Sequence, residues 1–210
     1  MRLQSIREGI VAACHDLCRN GLMCNLGAGG NVSVRDPDSG LVAVTPSQVR
    51  YDTMHAEDIV LTDTDGAVIE ALPGRVPTSE LPTHTMIYRE FGEVGAVIHA
   101  HAPFTTAVTT VLDSVPTLNY ELLYFVGRAV PVIPFVMPGT EAMARDVTHS
   151  LRDAPAIVIR NHGLFVVGKD LAAALVRSVA VEDAARLYCY AKAIGDPKPL
   201  PADIKRPTEG

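Results

Sequence analysis

The segment Val94-Gly95-Ala96-Val97-Ile98-His99-Ala100-His101 constrains this chain more than any other. It reads as a buried strand, which needs partners on both edges and cover on both faces. Residues i and i+2 of a strand project from the same face, so His99 and His101 stand side by side where the strand ends. What covers the strand follows from composition. Aromatics make up 5% of the 210 residues, Trp is absent and 48% are hydrophobic, so the core must come from Val, Leu, Ile and Ala. That suits a sheet covered by helices in one well-buried domain.

The remaining elements fit that plan. Ile6, Ile10, Cys14, Leu17 and Cys18 follow the helical period, and Asn20-Gly21 closes the helix. Asn31 to Val34 alternates as a strand, Asp36 to Gly40 is a turn, and Leu41 to Thr45 returns as the second half of a hairpin. A second hairpin joins Ile59-Val60-Leu61 to Ala67-Val68-Ile69 through Asp63-Thr64-Asp65-Gly66. Helices are expected at 82–91, 103–112, 139–151 and 169–194, and strands at 130–133, 156–160 and 164–167. Pro131 suggests an edge or irregular position for its strand. The intermingling of hairpins and helices favours a three-layer α/β/α domain around a largely antiparallel sheet over residues 1–197. Residues 198–210, rich in Pro and charge, read as a flexible tail.

A formal net charge of −6 argues against nucleic acid, which demands clustered Lys and Arg. Met1 to Arg7 is polar and the next apolar stretch is broken by His15 and Asp16, so no secretory signal is expected. The apolar runs fall short of the roughly 20 residues that span a bilayer. The four cysteines form no Cys-x-x-Cys pair, and Cys14 and Cys18 sit among helical apolar positions. A reduced, cytoplasmic protein without a membrane partner is the simplest expectation.

Chemistry gathers around the two strand histidines. A His-x-His pair alone is compatible with an ordinary sheet edge, but His162 follows the apolar strand 156–159 and precedes Gly163, where the backbone can turn sharply. Three imidazoles leave a coordination position open, as catalytic metal sites do. Thr78 and Ser79 precede a helix with Pro82 in its first turn. Their hydroxyls either cap that helix or, with its free N–H groups, form an anion site. Glu80 beside them is placed for general acid–base work or as a fourth ligand, and His84, one turn on, for hydrogen bonding or ligation. The loops Gly27-Ala28-Gly29-Gly30-Asn31 and Thr45-Pro46-Ser47-Gln48 add a flexible backbone, an amide and two hydroxyls to an anion pocket. The glycine loop lacks the Lys of a P-loop and the dinucleotide-binding spacing.

Taken in order, Gly30-Asn31-Val32-Ser33-Val34-Arg35, Thr45-Pro46-Ser47, Ser79-Glu80, His99-Ala100-His101 and Asn161-His162-Gly163 resemble the class II aldolase/adducin family over roughly residues 8 to 192. The resemblance implies a sheet between helical layers and a homotetramer with active sites between subunits. It implies one divalent metal per subunit, zinc first and manganese or cobalt as variants, held by His99, His101 and His162. Asn31, Thr45, Ser47, Thr78 and Ser79, with the Gly30 backbone, match phosphate-binding positions. Glu80 matches the acid/base residue, and Tyr120 a tyrosine supplied by the neighbouring subunit. The implied reaction is reversible aldol cleavage of a small phosphorylated ketose of the L-fuculose 1-phosphate kind, through a metal-stabilised enediolate. Tyr120 would take the hydroxyl proton from the departing aldehyde carbon and Glu80 would protonate the enediolate carbon.

This chain departs from the family pattern at several points. Gln48 stands where the phosphate loop usually has Gly, Thr78 where Ser is usual, and no tyrosine follows Tyr190. The 4-epimerases of the family carry Asp where this chain has Glu80, yet Pro82-Thr83-His84 resembles their version of the segment. The same histidines also serve decarboxylases of sugar acids or hydroxy-aromatic acids. The partner is therefore a small phosphorylated sugar or a sugar acid. The adducin head, a non-enzymatic relative, lacks the metal residues that this chain retains.

Overall fold

The computed structural model describes residues 1–24, 29–127, 129–201 and 203–204. The Gly27-Ala28 half of the glycine loop and most of the tail lie outside these residues. The chain opens with α1 (Gln4–Arg19), which buries Ile10, Cys14 and Leu17 along one stripe. Two hairpins follow, β1 (Gly30–Arg35) with β2 (Val42–Val44) and β3 (Val60–Thr62) with β4 (Val68–Glu70), with single 3-10 turns at 51–53 and 56–58 between them. Next come α2 (Leu81–Glu90), the buried strand β5 (Ala96–Ala100) and α3 (Pro103–Thr109). Then come β6 (Ser114–Val115), α4 (Tyr120–Phe125), β7 (Val130–Ile133) and α5 (Glu141–Ser150). The hairpin β8 (Ala156–Ile159) and β9 (Gly163–Gly168) leads into α6 (Leu171–Ile194), N-capped by the Asp170 carboxylate on Ala173 N–H.

These strands form one nine-stranded sheet in the order β4-β3-β2-β1-β5-β9-β8-β7-β6. Every neighbouring pair is antiparallel except β7 with β8. The strand predicted at 94–101 thus sits in the middle, between β1 and β9. Alternate residues feed two cores. Ile98, Val32, Leu164 and Val166 pack with α1 and α6, while Val97, Phe165, Ile157 and Ile159 pack with Ile87 of α2 and Met143 and Val147 of α5. The three-layer α/β/α expectation holds.

Several boundaries move. The β6 strand and α4 were not anticipated; α4 starts where the Asn119 side chain accepts from Leu122 N–H. Pro131 is one strand in from the edge. It lies opposite Ser114 of the two-residue β6, and the parallel pairing to β8 uses Val132 and Ile133 beyond it. The described start of the tail is tied down by a Leu200 N–H bond to Thr117 O, at 3.2 Å. Among the described residues no helix is long and apolar enough to cross a membrane.

Glu182 of α6 links this scaffold to the second strand histidine. Its buried carboxylate accepts from Phe104 N–H (2.9 Å), Thr105 N–H (2.8 Å) and Thr105 Oγ1 (2.7 Å), the first turn of α3. Thr106 Oγ1 of the same helix donates to His101 O at 2.7 Å. Glu182→Ala leaves these donors unpaired and should cost about 2–3 kcal/mol in urea unfolding. It should also loosen His101, whose backbone carbonyl loses its anchor on α3. Unchanged stability would show that water replaces the carboxylate.

Candidate metal centre

Antiparallel pairing builds the site. Asn31 of β1 lies opposite His99 of β5, and His99 lies opposite Phe165 of β9, forming one row across three central strands. Phe165 stacks under the His99 ring at 4.3 Å between centroids. His101 follows past the strand end, and His162 arrives from the three-residue β8–β9 connection, whose Asn161 takes a left-handed φ of 58°. Gly163 then passes so close to β5 that a Cβ would lie 2.5 Å from Ala100 O and 3.1 Å from His99 Cε1. No larger residue fits there without moving the β5 backbone and, with it, the His99 imidazole. The three rings pack edge to face at 4.8–5.3 Å, and one ligand atom from each lies within 4.8 Å of the others.

Glu80, at the N-cap of α2, completes the group. Its Oε2 is 3.3 Å from His99 Nε2, and its Oε1 is 3.4 Å from His162 Nε2. His99 Nδ1 lies 3.0 Å from Leu164 O; a carbonyl only accepts, so Nδ1 carries the proton. Burial first, then neighbouring His101, pushes His99 down to about 3, so at neutral pH its Nε2 is a bare lone pair. That lone pair faces a carboxylate oxygen, acceptor against acceptor, and is buried with no hydrogen-bond partner. His162 Nδ1 is likewise buried and unpartnered. Such a set repels itself until a cation sits within it, so these residues fit a divalent metal.

The surrounding cavity holds about 350 Å³ and is lined by Gly29, Gly30, Asn31, Pro46, Ser47, Gln48, Tyr51, Thr78, Ser79, Glu80, Pro138 and the three histidines. The anticipated hydroxyls Ser47, Thr78 and Ser79 do converge there. Thr78 Oγ1 also accepts from Glu80 N–H at 3.3 Å. Thr45 does not line the cavity; it is buried and its hydroxyl accepts from Val32 N–H at 3.2 Å, bracing β1. Asn31 lines the wall but spends one N–H on Glu80 Oε2 at 2.9 Å. Tyr120 is half-exposed on α4, outside the lining of its own chain.

The sequence reading missed Tyr51, whose hydroxyl donates to Gly30 O, and Pro138, whose neighbour Gly139 passes against Ser79. Neither carries a local signal. The unusual Gln48 adopts a left-handed φ of 58°, which explains why glycine suits that position. A larger groove of about 770 Å³ between α1, α4 and α6 has an apolar floor of Phe125, Leu175, Val176, Val179 and Leu187 rimmed by charged side chains such as Asp16, Glu121, Asp183 and Arg186, and no histidine enters it.

The histidines set the acid response. Burial holds His84 and His99 near 3 against an ordinary 6.5. Between those values the unfolded chain binds more protons than the folded one, so stability falls as pH drops from about 6.5. Thermal melting of metal-stripped protein should therefore show a declining Tm from pH 7 to pH 5, above the range where ordinary carboxylates titrate. A flat profile would contradict neutral, buried imidazoles.

Comparison with known proteins agrees with this geometry. Residues 8–189 match the Class II Aldolase and Adducin N-terminal domain family. The 5-deoxy-D-ribulose 1-phosphate aldolase of Bacillus thuringiensis serovar kurstaki is 34% identical, over 97% of this chain and 93% of its own length. The L-fuculose phosphate aldolase of Escherichia coli K12 is 32% identical, over 97% and 91%. A solved L-fuculose 1-phosphate aldolase structure superposes with a TM-score of 0.88 at 29% identity, covering 97% of this chain and 93% of the other. The histidine cluster, the buried carboxylate and the match along nearly the whole sequence lead to one conclusion: this chain belongs to the class II aldolase/adducin family.

Proposed function

We propose that the protein is a class II, divalent-metal-dependent aldolase that reversibly splits a small ketose 1-phosphate into a three-carbon phosphorylated ketone and an aldehyde. The observation that carries this reading is the confrontation of the His99 lone pair with the Glu80 carboxylate at 3.3 Å, a repulsion that a cation bound between them would relieve. The named activities of the relatives supply the substrate class, since 5-deoxy-D-ribulose 1-phosphate and L-fuculose 1-phosphate are both ketose 1-phosphates.

His99, His101 and His162 would hold the ion. When bound, it supplies Lewis acidity that polarises the adjacent oxygens of the ketose and stabilises the negative charge left by bond cleavage. Ser47, Thr78, Ser79 and the Gly30 backbone would hold the phosphate by neutral donors, with the second N–H of Asn31 as a further donor. In the synthetic direction the Glu80 carboxylate, one oxygen beside each of two imidazoles, takes a hydroxymethyl proton from the ketone phosphate. The electron pair left on carbon attacks the aldehyde, and the O–H of Tyr120 from a neighbouring copy protonates the new alkoxide. Cleavage is the reverse: ionised Tyr120 takes the hydroxyl proton from the departing carbon as the carbon–carbon bond breaks, and protonated Glu80 returns a proton to the ketone fragment. A neighbouring copy is invoked because Tyr120 stands outside its own cavity. Tyr120, Tyr124, Val176, Leu187 and Tyr190 leave apolar surface on α4 and α6 that association would cover. We take the assembly to be a homotetramer and the resident metal to be zinc.

Every ketose 1-phosphate yields dihydroxyacetone phosphate on this cleavage, which makes that compound a probe independent of the aldehyde partner. Zinc-loaded protein in D2O should exchange one hydroxymethyl proton of dihydroxyacetone phosphate, followed by proton NMR. His101→Ala should lose zinc and exchange together. Glu80→Gln should keep zinc and lose about 100-fold or more in exchange. Tyr120→Phe should retain exchange but slow cleavage of ketose 1-phosphates. If the protein instead releases carbon dioxide from sugar acids and ignores phosphorylated ketoses, the aldolase reading fails.

A further inference from the structure

Behind Glu80 and Asn31 runs a line of buried polar side chains, His84, Ser33 and Tyr88, that the reaction above leaves without a task. Glu80, His84 and Tyr88 are spaced by four residues, with His84 and Tyr88 on one face of α2 and Glu80 at its N-cap. Asn31 and Ser33 alternate with Val32 on β1 and meet that face. The two sets interleave. Asn31 Nδ2 lies 2.9 Å from Glu80 Oε2, and Asn31 Oδ1 lies 2.5 Å from His84 Nε2. His84 Nδ1 lies 2.6 Å from Ser33 Oγ, which is 2.8 Å from Tyr88 OH. His84 and Ser33 are fully buried and the others nearly so.

The direction of every proton in this line follows from its end. A carboxylate only accepts, so Asn31 presents its NH2 to Glu80 and turns Oδ1 to His84. That oxygen also only accepts, so His84 carries its proton on Nε2. Burial keeps His84 near 3, hence neutral, so Nδ1 accepts from Ser33 O–H and the Ser33 oxygen accepts from Tyr88 O–H. Each group donates toward Glu80, and the line cannot reverse while Glu80 is ionised, because a carboxylate has no proton to give back. Burying these groups where aliphatic side chains would pack at lower cost needs a return.

We propose that His84 is a positioning residue for Glu80: through Asn31 it pins Oε2 and leaves Oε1 as the oxygen that exchanges a proton with substrate. The inference rests on the acid/base reading of Glu80. An asparagine amide is nearly symmetric in shape, so only its hydrogen bonds decide which end meets the carboxylate. Without the His84 N–H, Asn31 Oδ1 is buried with no donor, so the amide loses the bond that holds its plane and its N–H is free to leave Oε2, the one hydrogen bond the carboxylate accepts from the described side chains. Oε1 accepts no hydrogen bond from a described residue and lies beside His162 at 3.4 Å. A carboxyl whose two oxygens are not equivalent presents its proton from one fixed direction. Misplaced by rotation, it transfers that proton far more slowly.

The test uses zinc-loaded full-length protein and dihydroxyacetone phosphate in D2O. His84→Leu removes the donor, while His84→Gln keeps an N–H within reach of Asn31. Exchange should fall about 10- to 100-fold in His84→Leu and recover to within about 3-fold of wild type in His84→Gln, with zinc content and ligand affinity unchanged in both. On a Glu80→Gln background, His84→Leu should cause no further loss, because the group it positions is gone. In 15N-histidine spectra of the wild type, His84 should be the Nε2–H tautomer. Equal losses in both backgrounds, losses that track zinc or ligand affinity, or an Nδ1–H tautomer would overturn the proposal. If His84→Leu does not fold, His84→Met, which also removes the donor, carries the same test, with slowed exchange expected and full exchange overturning the proposal. Full exchange in Glu80→Gln would refute the acid/base reading itself, whereas loss there with none in His84→Leu would refute only this inference.

Discussion

The antiparallel register that sets Asn31 beside His99 and His99 beside Phe165 is the constraint on which the rest of this protein depends. A slip of one residue in either ladder would turn His99 into the α1–α6 core and bring Ile98 into the cavity. The register is held because Val97 and Ile98 are each buried on opposite faces, so both faces resist the slip at once. A carboxylate and three imidazoles can therefore be held within a few ångströms of one another, although in the absence of a cation they repel.

The hinges of the site are where the backbone departs from ordinary geometry. Gln48, Ala102 and Asn161 all have positive φ without being glycine, at 58°, 27° and 58°. Each neighbours a cavity residue: Ser47, His101 and His162 respectively. Such conformations persist only where surrounding contacts over-determine them. Here those contacts include Ala102 N–H on Leu22 O and the α3 cap from Glu182. The energy of the sheet and its helices is thus used to hold a polar, strained constellation that would not assemble alone.

Much of this was legible in the chain. The buried strand carrying His99 and His101, the turn carrying His162, the placement of Glu80 at a helix start and the hydroxyls of Ser47, Thr78 and Ser79 all follow from local spacing. Tyr51 and Pro138 were not legible, because each reaches the cavity through a loop whose path depends on distant packing. Thr45 looked like its neighbour Ser47 by type, yet its hydroxyl is consumed by Val32 N–H. Ser33, His84 and Tyr88 could have been suspected from the i, i+2 and i, i+4 spacings. Nothing local said that the two sets interdigitate, and the short α4 and β6 were lost among weak signals.

The sequence by itself determined which side chains could share a face, because strand and helix periods are properties of the local backbone. It also determined the chemical types available: three imidazoles, one carboxylate and a set of hydroxyls and glycines. Only the tertiary structure decided which lone pairs meet. His99 Nε2 is a free ligand atom because Leu164 O, 65 residues away, holds the proton on Nδ1. The oxygens of Glu80 differ because Asn31, 49 residues away, holds one of them. Proton positions and orphaned lone pairs depend on contacts between elements far apart in the chain, and no local period encodes those distances.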